Sequence, residues 1–345
     1  MQALILAGGE GTRLRPLTYT VPKPVLPLAG RPHIAYVIDW LLRHGVDDVI
    51  VSCGFLAEGM RKTLAAVEPG VEIRYAEEPD RRGTAGAIRF AEEMLGDRFL
   101  VLNGDVLCDL DLGALIAQHE STGAQATIAL YPVDDPGGYG LVHRGDDGEI
   151  TEWLEKPEPD QVDTDEINAG AYLLERSVLD RIPPDKEVSI EREVFPELIG
   201  EGFYGIRLEG YWIDIGTPQR FLEANWDILE SRVETVTTQL IDDRGVLLGE
   251  GCDLADDVTV GPAALVGDGV RMSAGTTVGP RAVVGPGCEL GEDVTVEESV
   301  LLAGCKVADG ATVSGSILSS NVEVAAAAEL APGSVIGEGE LVGAG

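Results

Sequence analysis

A six-residue repeat in the C-terminal third constrains the fold of this 345-residue chain more than any other feature. Every sixth residue from 248 to 302 is apolar: Leu248, Leu254, Val260, Val266, Met272, Val278, Val284, Leu290, Val296 and Leu302. The phase then slips, first to the series beginning at Leu301 and again to the series beginning at Leu318. A period of six places one inward side chain on each face of a three-sided coil. The repeat therefore predicts a left-handed parallel β-helix whose corners differ in length where the phase slips.

A β-sandwich is the alternative architecture for such a strand-rich segment. Its strands would alternate with period two and would need aromatic residues in the core. All aromatic residues of the chain lie at or before Trp226, whereas 19 of the 44 glycines lie in residues 245–345. This change in composition disfavours the sandwich and predicts a domain over 1–230, a linker over 231–246 and the β-helix over 247–345.

The expected domain over 1–230 follows a different pattern. Short apolar runs such as 3–6 and 49–51 alternate with segments of helical period such as 33–44. This alternation predicts an α/β domain with a mostly parallel sheet. Thr217 can cap the last helix of this part, and Pro218 suits its first turn.

The charge balance restricts the partners of the chain. Sixty Asp and Glu against 25 Lys and Arg give a formal net charge of −35, which disfavours binding to nucleic acid or an anionic membrane. A small phosphorylated ligand in a locally basic pocket stays possible. The acid-rich composition with only five lysines is typical of a cytoplasmic protein of a halophilic microbe. The five cysteines lack the spacing of a zinc site or a disulfide framework, and no apolar run is long enough to cross a membrane.

A glycine-rich segment follows the first predicted strand. Residues 6–18 contain three glycines, which permit close backbone approach to a phosphate or a base, and Arg13 and Arg15 add positive charge. The segment matches neither a Walker A motif nor the GxGxxG pattern. Lys23, which has a proline directly on each side, follows closely. These residues predict a loop that binds a phosphorylated ligand.

The segments 8–18 and 23–27 resemble the signature of the nucleoside-diphosphate-sugar pyrophosphorylases, the sugar-1-phosphate nucleotidyltransferases. Further matches follow in the order of that family: 83–87, 103–105, 139–140, 155–157, 168–170 and 210–218. The resemblance covers essentially the whole chain, since many members carry a C-terminal left-handed β-helix. It implies a Rossmann-like nucleotidyltransferase domain over 1–230. Within the family, the chain is most similar to mannose-1-phosphate guanylyltransferases, through residues 11–18, 101–109, 189–196 and 212–218.

The resemblance also implies roles for individual residues. The expected catalytic residues are Arg13, Lys23 and Asp105, and the expected ligands of Mg²⁺, or of Mn²⁺, which would fit as well, are Asp105 and Asp214. The nucleotide is expected to contact Leu6, Ala7, Gly8, Gly9, Gly11, Thr12, Gly83, Thr84 and Ala85. The sugar 1-phosphate is expected to contact Gly140, Glu155, Lys156, Asn168 and Gly170.

The implied reaction is direct in-line attack of a sugar-phosphate oxygen on the α-phosphorus of a nucleoside triphosphate, with release of pyrophosphate and no covalent enzyme intermediate. Joining two anions requires cations and a metal rather than a protein nucleophile. The most similar members use GTP and mannose 1-phosphate and make GDP-mannose. We also expect a homo-oligomer, because the flat, glycine-rich faces of a β-helix stack well.

Three alternatives stay open. The base and sugar could instead be those of a glucose-1-phosphate uridylyl- or thymidylyltransferase. A bifunctional N-acetylglucosamine-1-phosphate uridylyltransferase and acetyltransferase is disfavoured, because all four histidines lie outside the β-helix and such acetyltransferases usually use a histidine base. A non-catalytic regulatory subunit would be expected to lose cationic or metal-binding positions, and Arg13, Lys23, Asp105, Lys156 and Asp214 are all present.

Overall fold

A computed structural model describes residues 1–54 and 56–343 of the chain. Its packing divides the chain into two compact units. Unit 1 consists of Met1–Gly9 and Val37–Trp212, and unit 2 consists of Glu10–Tyr36 and Ile213–Gly345. The boundaries expected from composition, at residues 230 and 246, stay a prediction. No helix among the described residues is both long and apolar enough to span a bilayer.

The α-helices are short and precede the six-residue repeat. They are α1 His33–Arg43, α2 Ala57–Ala66, α3 Gly83–Phe90, α4 Leu112–Thr122, α5 Phe195–Leu198 and α6 Pro218–Leu229. The first thirteen strands are β1 Gln2–Leu6, β2 Pro27–Leu28, β3 Arg31–Pro32, β4 Asp48–Cys53, β5 Ile73–Glu77, β6 Arg98–Asn103, β7 Val106–Cys108, β8 Ala126–Pro132, β9 Gly140–Arg144, β10 Ile150–Glu155, β11 Glu166–Glu175, β12 Phe203–Arg207 and β13 Trp212–Asp214.

The remaining strands are two or three residues long and form the repeat region. They are β14 Val246–Leu248, β15 Asp253–Leu254, β16 Thr259–Val260, β17 Ala264–Val266, β18 Arg271–Met272, β19 Thr277–Val278, β20 Ala282–Val284, β21 Glu289–Leu290, β22 Thr295–Glu297, β23 Val300–Leu301, β24 Lys306–Val307, β25 Thr312–Ser314, β26 Ile317–Leu318, β27 Glu323–Val324, β28 Glu329–Leu330, β29 Val335–Ile336 and β30 Leu341–Val342.

The large sheet of unit 1 has the order β10-β9-β11-β6-β1-β4-β5, with β8 paired to β11 and β12 paired to β8. The strands β5, β4, β1 and β6 run parallel, as predicted from the apolar runs. Strand β11 runs antiparallel to β6, β8 and β9, which the sequence pattern did not predict. The sheet is therefore mixed, with a parallel half around β1.

In the parallel half of the sheet, β1 and β6 have their carboxyl ends at the same edge. Leu4 of β1 lies opposite Ile50 and Val101, and all three side chains are fully buried, as expected for a strand covered on both faces. In the same register Leu6 lies opposite Asn103. The loops that follow β1 and β6 consequently begin side by side.

The C-terminal part of unit 2 consists of three parallel sheets with six, six and five strands. This is the three-sided parallel β-helix that the hexad predicts. On one face, successive coils align Asp253, Arg271, Glu289, Lys306 and Glu323. The sequence separation between aligned positions is 18 where Arg271 meets Glu289 and falls to 17 where Ser299 meets Ser316. The two predicted phase slips are confirmed, because the inward series resumes at Leu301 and at Leu318.

The corners explain the slips. Residues 279–281 connect β19 to β20, but only residues 298–299 connect β22 to β23. The same corner takes residues 315–316 in the next coil and 331–334 in the one after. A corner shorter by one residue moves the whole inward series by one position, because the strands stay in register with those below.

The hexad positions line the interior except at Leu248 and at Leu302, whose inward place is taken by Leu301. Val278, Val284 and Leu290 are at most 2% exposed. Leu248, expected to point inward like the others, is 51% exposed. Among the described residues, β14 pairs with β17 alone, so no coil stacks on its other side. The inward prediction is wrong at this end of the solenoid because burial there needs a neighbouring coil.

Helix α6 in unit 2 begins as predicted. Thr217 caps α6 through its hydroxyl, which accepts from Arg220 N at 3.3 Å, and Pro218 occupies the first turn.

Further contacts in unit 2 attach α6 to the β-helix. Arg281, on a corner of the β-helix, is paired with Glu230 just beyond the end of α6 and lies over the ring of Trp226, 5.6 Å from its centre. These contacts combine an ion pair with a cation–π interaction.

Candidate active site

The loops after β1 and β6 lie side by side in unit 1. Gly104 N donates to Leu6 O at 2.9 Å, and Ala7 N donates to Ser52 O at 2.8 Å. A side chain at residue 104 would place its Cβ 2.5 Å from Leu6 O, so only glycine fits there. Asp105, half-buried, follows this glycine directly. The predicted metal ligand is thus held where α/β sheets bind ligands.

The glycines after β1 leave room beside the backbone. Nothing lies within 4 Å of the position that a Cβ on Gly9 would take, and for Gly8 the nearest atom is Glu78 Oε1 at 3.4 Å. Ser52 donates to the same carboxylate oxygen at 2.6 Å, and burial raises the pKa of Glu78. The backbone of Gly8 and Gly9 is therefore open to a ligand, with an acidic group next to it.

The segment 83–85 begins α3 against another part of unit 1. Gly83 has a left-handed backbone, and a Cβ there would lie 2.5 Å from Val188 O. Val188 O accepts from Ala85 N at 2.9 Å, and Thr84 Oγ1 donates to Glu191 Oε2 at 2.7 Å. The predicted nucleotide segment thus rests on residues 188–191.

The predicted sugar residues Gly140 and Glu155 lie opposite each other on β9 and β10. A Cβ on Gly140 would meet Glu155 Oε2 at 2.8 Å and the Trp153 ring at 3.1 Å. Burial and the charge of Glu191 raise the pKa of Glu155, against the opposing effect of Lys156 and a neighbouring arginine. Lys156 itself is exposed in a left-handed turn. The pair presents a half-buried carboxyl group beside an exposed cation.

Asn168 and Gly170 form a tight turn within β11. Asn168 Oδ1 accepts from Gly170 N at 2.9 Å, and its amide nitrogen donates to Tyr172 OH at 2.8 Å. Gly170 has a left-handed backbone, and a Cβ there would lie 2.8 Å from Asn103 Nδ2. Burial, and then the charge of Glu191, raise the pKa of the fully buried Tyr172 well above its usual value. Asn168 therefore also fixes its own turn against Tyr172.

In unit 2, the glycine-rich loop continues as a compact turn. Gly11 has a left-handed backbone, and its carbonyl accepts from Thr18 Oγ1 at 2.8 Å. A Cβ on Gly11 would lie 3.1 Å from Lys23 Cβ, and Lys23 is 8% exposed. Thr12 begins a short helical turn after Gly11. The loop thus packs on the stem of the predicted catalytic lysine.

Arg13 and Asp214 lie together in unit 2. The position that a Cβ on Gly216 would take is 2.7 Å from a guanidinium nitrogen of Arg13 and 2.7 Å from Asp214 Oδ2. A side chain at 216 would therefore displace the ends of the Arg13 and Asp214 side chains. The structure thus brings one predicted catalytic residue beside one predicted metal ligand.

Sequence reasoning assigned no role to Glu191, Tyr172, Asn103 or Gly216. The segment 189–196 contributed to the resemblance, so Glu191 lay within a recognisable stretch without a stated function. Asn103 likewise lay within the recognised segment 103–105 without a stated function, whereas Tyr172 becomes visible only through the pairing of β11 with β6. A glycine two residues after Asp214 was the available signal for Gly216.

A metal ion would need ligands beyond those that protein side chains provide here. Among the described residues, no three His, Cys, Asp or Glu side chains are grouped to hold one. Asp105 and Asp214, the expected ligands, each offer one carboxylate. Carboxylate oxygens completed by water and phosphate oxygens suit a hard cation that needs no all-protein cage. The donor chemistry therefore fits Mg²⁺.

Comparison with known families decides the class of the protein. The nucleotidyl transferase family model matches residues 2–231, two thirds of the chain. The chain belongs to the nucleotidyl transferase family. The model of the GMPPB C-terminal domain also matches this nucleotidyl transferase, over residues 272–344. The family generally uses a divalent metal ion.

Named relatives agree with this assignment. A mannose-1-phosphate guanylyltransferase of Mycobacterium tuberculosis is 39% identical over 234 residues, 66% of this chain and 65% of the relative. A mannose-1-phosphate guanylyltransferase catalytic subunit beta of Drosophila melanogaster is 38% identical over 267 residues, 73% of this chain and 72% of the relative. The crystal structure of HddC from Yersinia pseudotuberculosis complexed with GMP-PN matches with a TM-score of 0.57 at 29% identity and covers 65% of this chain and 97% of that one. The nucleotidyl transferase thus spans about 65% of the length of the M. tuberculosis relative.

Proposed function

We propose that this chain transfers the guanylyl group of GTP to mannose 1-phosphate, giving GDP-mannose and pyrophosphate. The observation that carries the proposal is the likeness to relatives named mannose-1-phosphate guanylyltransferase over two thirds of the chain. A solved relative complexed with GMP-PN supports a guanine nucleotide. The match of the C-terminal part to the GMPPB C-terminal domain supports the same choice.

The nucleotide is proposed to bind along the loop after β1 and the start of α3. The open backbone of Leu6, Ala7, Gly8 and Gly9 and the segment Gly83, Thr84 and Ala85 border the base and ribose. Gly11 and Thr12 continue the loop toward the phosphates, where backbone N–H groups suit an anion. Arg13 and Lys23 supply the positive charge that the triphosphate needs.

The sugar 1-phosphate is proposed to bind beside β9, β10 and β11. The Glu155 carboxylate accepts hydrogen bonds from sugar hydroxyls, and Lys156 attracts the phosphate. Gly140 and Gly170 keep the space beside these groups free of side chains, and Asn168 holds the turn between them. The half-buried position of Glu155 supports this role, because a hydrogen bond to a partly desolvated carboxylate is stronger than one in water.

Asp105 and Asp214 are proposed to hold Mg²⁺, with Mn²⁺ as a chemically suitable substitute. When bound, the ion neutralises phosphate charge. The chain's own contribution is to bring two anions together. Arg13 and Lys23 reduce the repulsion between the two anions. The residues proposed to bind the sugar 1-phosphate, here called the sugar segment (Gly140, Glu155, Lys156, Asn168 and Gly170), orient the attacking phosphate oxygen toward the α-phosphorus. The reaction then needs no nucleophilic side chain.

We further propose that the protein is a cytoplasmic homo-oligomer, with the β-helix contributing to assembly, and that it binds neither nucleic acid nor membranes. The net charge of −35 supports the absence of polyanionic partners and a saline environment. Mass photometry in high salt tests the assembly. A single species with the mass of one chain, 36.5 kDa, would contradict it.

The test of the activity is pyrophosphate release by purified protein in high salt with Mg²⁺. GTP, UTP, dTTP, ATP and CTP are each combined with mannose, glucose, galactose and N-acetylglucosamine 1-phosphates. We expect a clear maximum for GTP with mannose 1-phosphate, and its loss in Asp105→Ala. Asp111→Asn is the matched control, because Asp111 caps α4 through a 2.8 Å bond from Gly113 N that asparagine can also accept. Its contact with His44, at 3.7 Å, is at an exposed side chain and contributes little.

Other outcomes identify the alternatives. A maximum for glucose 1-phosphate with UTP or dTTP would replace the substrate and keep the reaction. Release of coenzyme A from acetyl-coenzyme A with glucosamine 1-phosphate would show the bifunctional enzyme. Folded protein without activity in any combination would indicate the regulatory subunit.

A further inference from the structure

The segment 186–191 lies between the predicted nucleotide segment and the rest of unit 1. Val188 O accepts from Ala85 N at 2.9 Å and from Gly86 N at 3.2 Å, and Val188 N donates to Arg82 O at 2.8 Å. Side chains are excluded at Gly83 and Gly86, where a Cβ would lie 2.5 Å from Val188 O and 2.6 Å from the carbonyl of residue 186. The first turn of α3 therefore packs closely against the segment 186–191 and is held there by backbone hydrogen bonds.

Glu191 adds a side-chain connection at the same place. Its Oε2 accepts from Thr84 Oγ1 and from Ser189 Oγ, each at 2.7 Å. Thr84 Oγ1 in turn accepts from Ile190 N at 2.8 Å. The hydroxyl of Thr84 therefore has both a donor and an acceptor within the protein. Its hydrogen bonds hold the nucleotide segment rather than pointing to a ligand.

Glu191 is also close to the sugar segment. Its negative charge contributes, after burial, to raising the pKa of both Glu155 and Tyr172. Tyr172 accepts from Asn168 in the turn that precedes Gly170. One carboxylate thus accepts a hydrogen bond from the nucleotide segment, and its charge raises the pKa of Glu155 and of Tyr172.

We propose that Glu191 is a positioning residue that holds Thr84, and with it residues 83–85, in place against the segment 188–191. This inference rests on the proposed function, since it takes residues 83–85 to border the nucleotide. Glu191 acts through Thr84 and Ser189. Two hydrogen bonds to one carboxylate oxygen, with the partner hydroxyl itself anchored by Ile190 N, restrict the segment far more than packing alone.

A double-mutant cycle tests the coupling. Affinity for GTP, without sugar phosphate, is measured by calorimetry for wild type, Thr84→Val, Glu191→Ala and the double variant. We expect each single variant to weaken GTP binding about 10-fold. The double variant should lose no more affinity than the single variant that binds GTP more weakly, because both substitutions remove the same connection. In steady-state assays the loss is expected in KM for the nucleotide rather than in kcat.

Two further variants separate positioning from folding. Glu191→Gln keeps an oxygen that accepts from both hydroxyls, so we expect it to recover most of the lost affinity. Glu187→Gln is the matched control, because Glu187 lies in the same segment but is 61% exposed and pairs only with Arg81 at the surface. It should bind GTP within about two-fold of wild type, since exposed ion pairs contribute little.

The outcomes decide the proposal. A roughly 100-fold loss in the double variant, or unchanged GTP affinity in both single variants, would overturn it. If Glu191→Ala does not fold, as judged by circular dichroism, Thr84→Val decides alone, because unchanged affinity there would overturn the proposal and a ten-fold loss would support it. If wild type prefers another nucleotide, the proposed substrate is wrong and the cycle is measured with that nucleotide. Folded wild type that binds no nucleotide would overturn both proposals.

Discussion

The β-helix and the ligand segments of this protein use their residues in opposite ways. In the β-helix, residues in contact come from adjacent coils 17 or 18 positions apart, and each role follows from its place in the hexad. In the ligand segments, Thr84 meets Glu191 across 107 residues, and neighbouring positions have unrelated roles. Substitutions in the β-helix should therefore change mainly the stability of the protein, whereas substitutions in the segments proposed to bind ligands should change mainly its activity.

The largest expected effect tests the β-helix side of the comparison. Leu290→Ala removes a side chain that is 2% exposed and should lower the free energy of unfolding by about 2–5 kcal/mol. Leu248→Ala changes the same hexad phase at an exposed position and should cost less than about 0.5 kcal/mol. Urea unfolding measures both, and equal losses would contradict the end-coil explanation. KM of the folded Leu290→Ala protein for either substrate should not change.

The next prediction concerns the cation that the glycine-rich loop holds. Lys23→Met keeps the length of the side chain but removes its charge, and we expect kcat/KM to fall about 10²- to 10³-fold, the usual cost of losing one electrostatic contact to a transition state. Pyrophosphate release measures the loss. Lys62→Met is the control, because Lys62 is 76% exposed and pairs with Glu58 on α2. Comparable losses in both variants would show a general charge effect instead.

A smaller effect is expected at Gly140. Gly140→Ala would place a Cβ 2.8 Å from Glu155 Oε2, so Glu155 must move, and KM for the sugar phosphate should rise about 10-fold, equivalent to about 1.4 kcal/mol. KM for the nucleotide should stay the same. Gly138→Ala, two residues earlier in the chain and with open space around it, should behave as wild type. An unchanged KM for the sugar phosphate in Gly140→Ala would contradict the proposal that Glu155 binds the sugar phosphate.

The smallest expected effect is a gain in the stability of the folded protein when Glu155 is replaced by glutamine. Because the pKa of Glu155 is higher in the folded than in the unfolded protein, its contribution to stability is full below its unfolded pKa and decreases as pH rises through the folded value. Glu155→Gln should therefore be more stable than wild type at pH 7.5, by less than about 1 kcal/mol given the partial exposure of the group. The melting temperatures should converge as pH falls toward 5. A stability difference that stays constant across this pH range for Glu155→Gln would contradict the assigned cause.

Much of the fold was predictable because its signals are local and repeated. The hexad located the β-helix and both phase slips, and short apolar runs located β1 and β4. The antiparallel strand β11 was not predicted, since its pairing with β6, β8 and β9 depends on residues far apart in the chain. The candidate site was predictable as a set of motifs. Its internal contacts were not, because a motif names residues without stating which of them touch.

Spacing and contiguous motifs in the sequence were enough to predict the solenoid, the family and the residues expected to bind nucleotide, sugar phosphate and metal. Three features emerge only from the folded chain: Leu248 is exposed, Arg13 lies beside Asp214 at Gly216, and Glu191 accepts a hydrogen bond from Thr84. The physical reason is that burial, charge proximity and hydrogen bonding depend on neighbours in space. Only in a repeat are those neighbours fixed by distance along the chain.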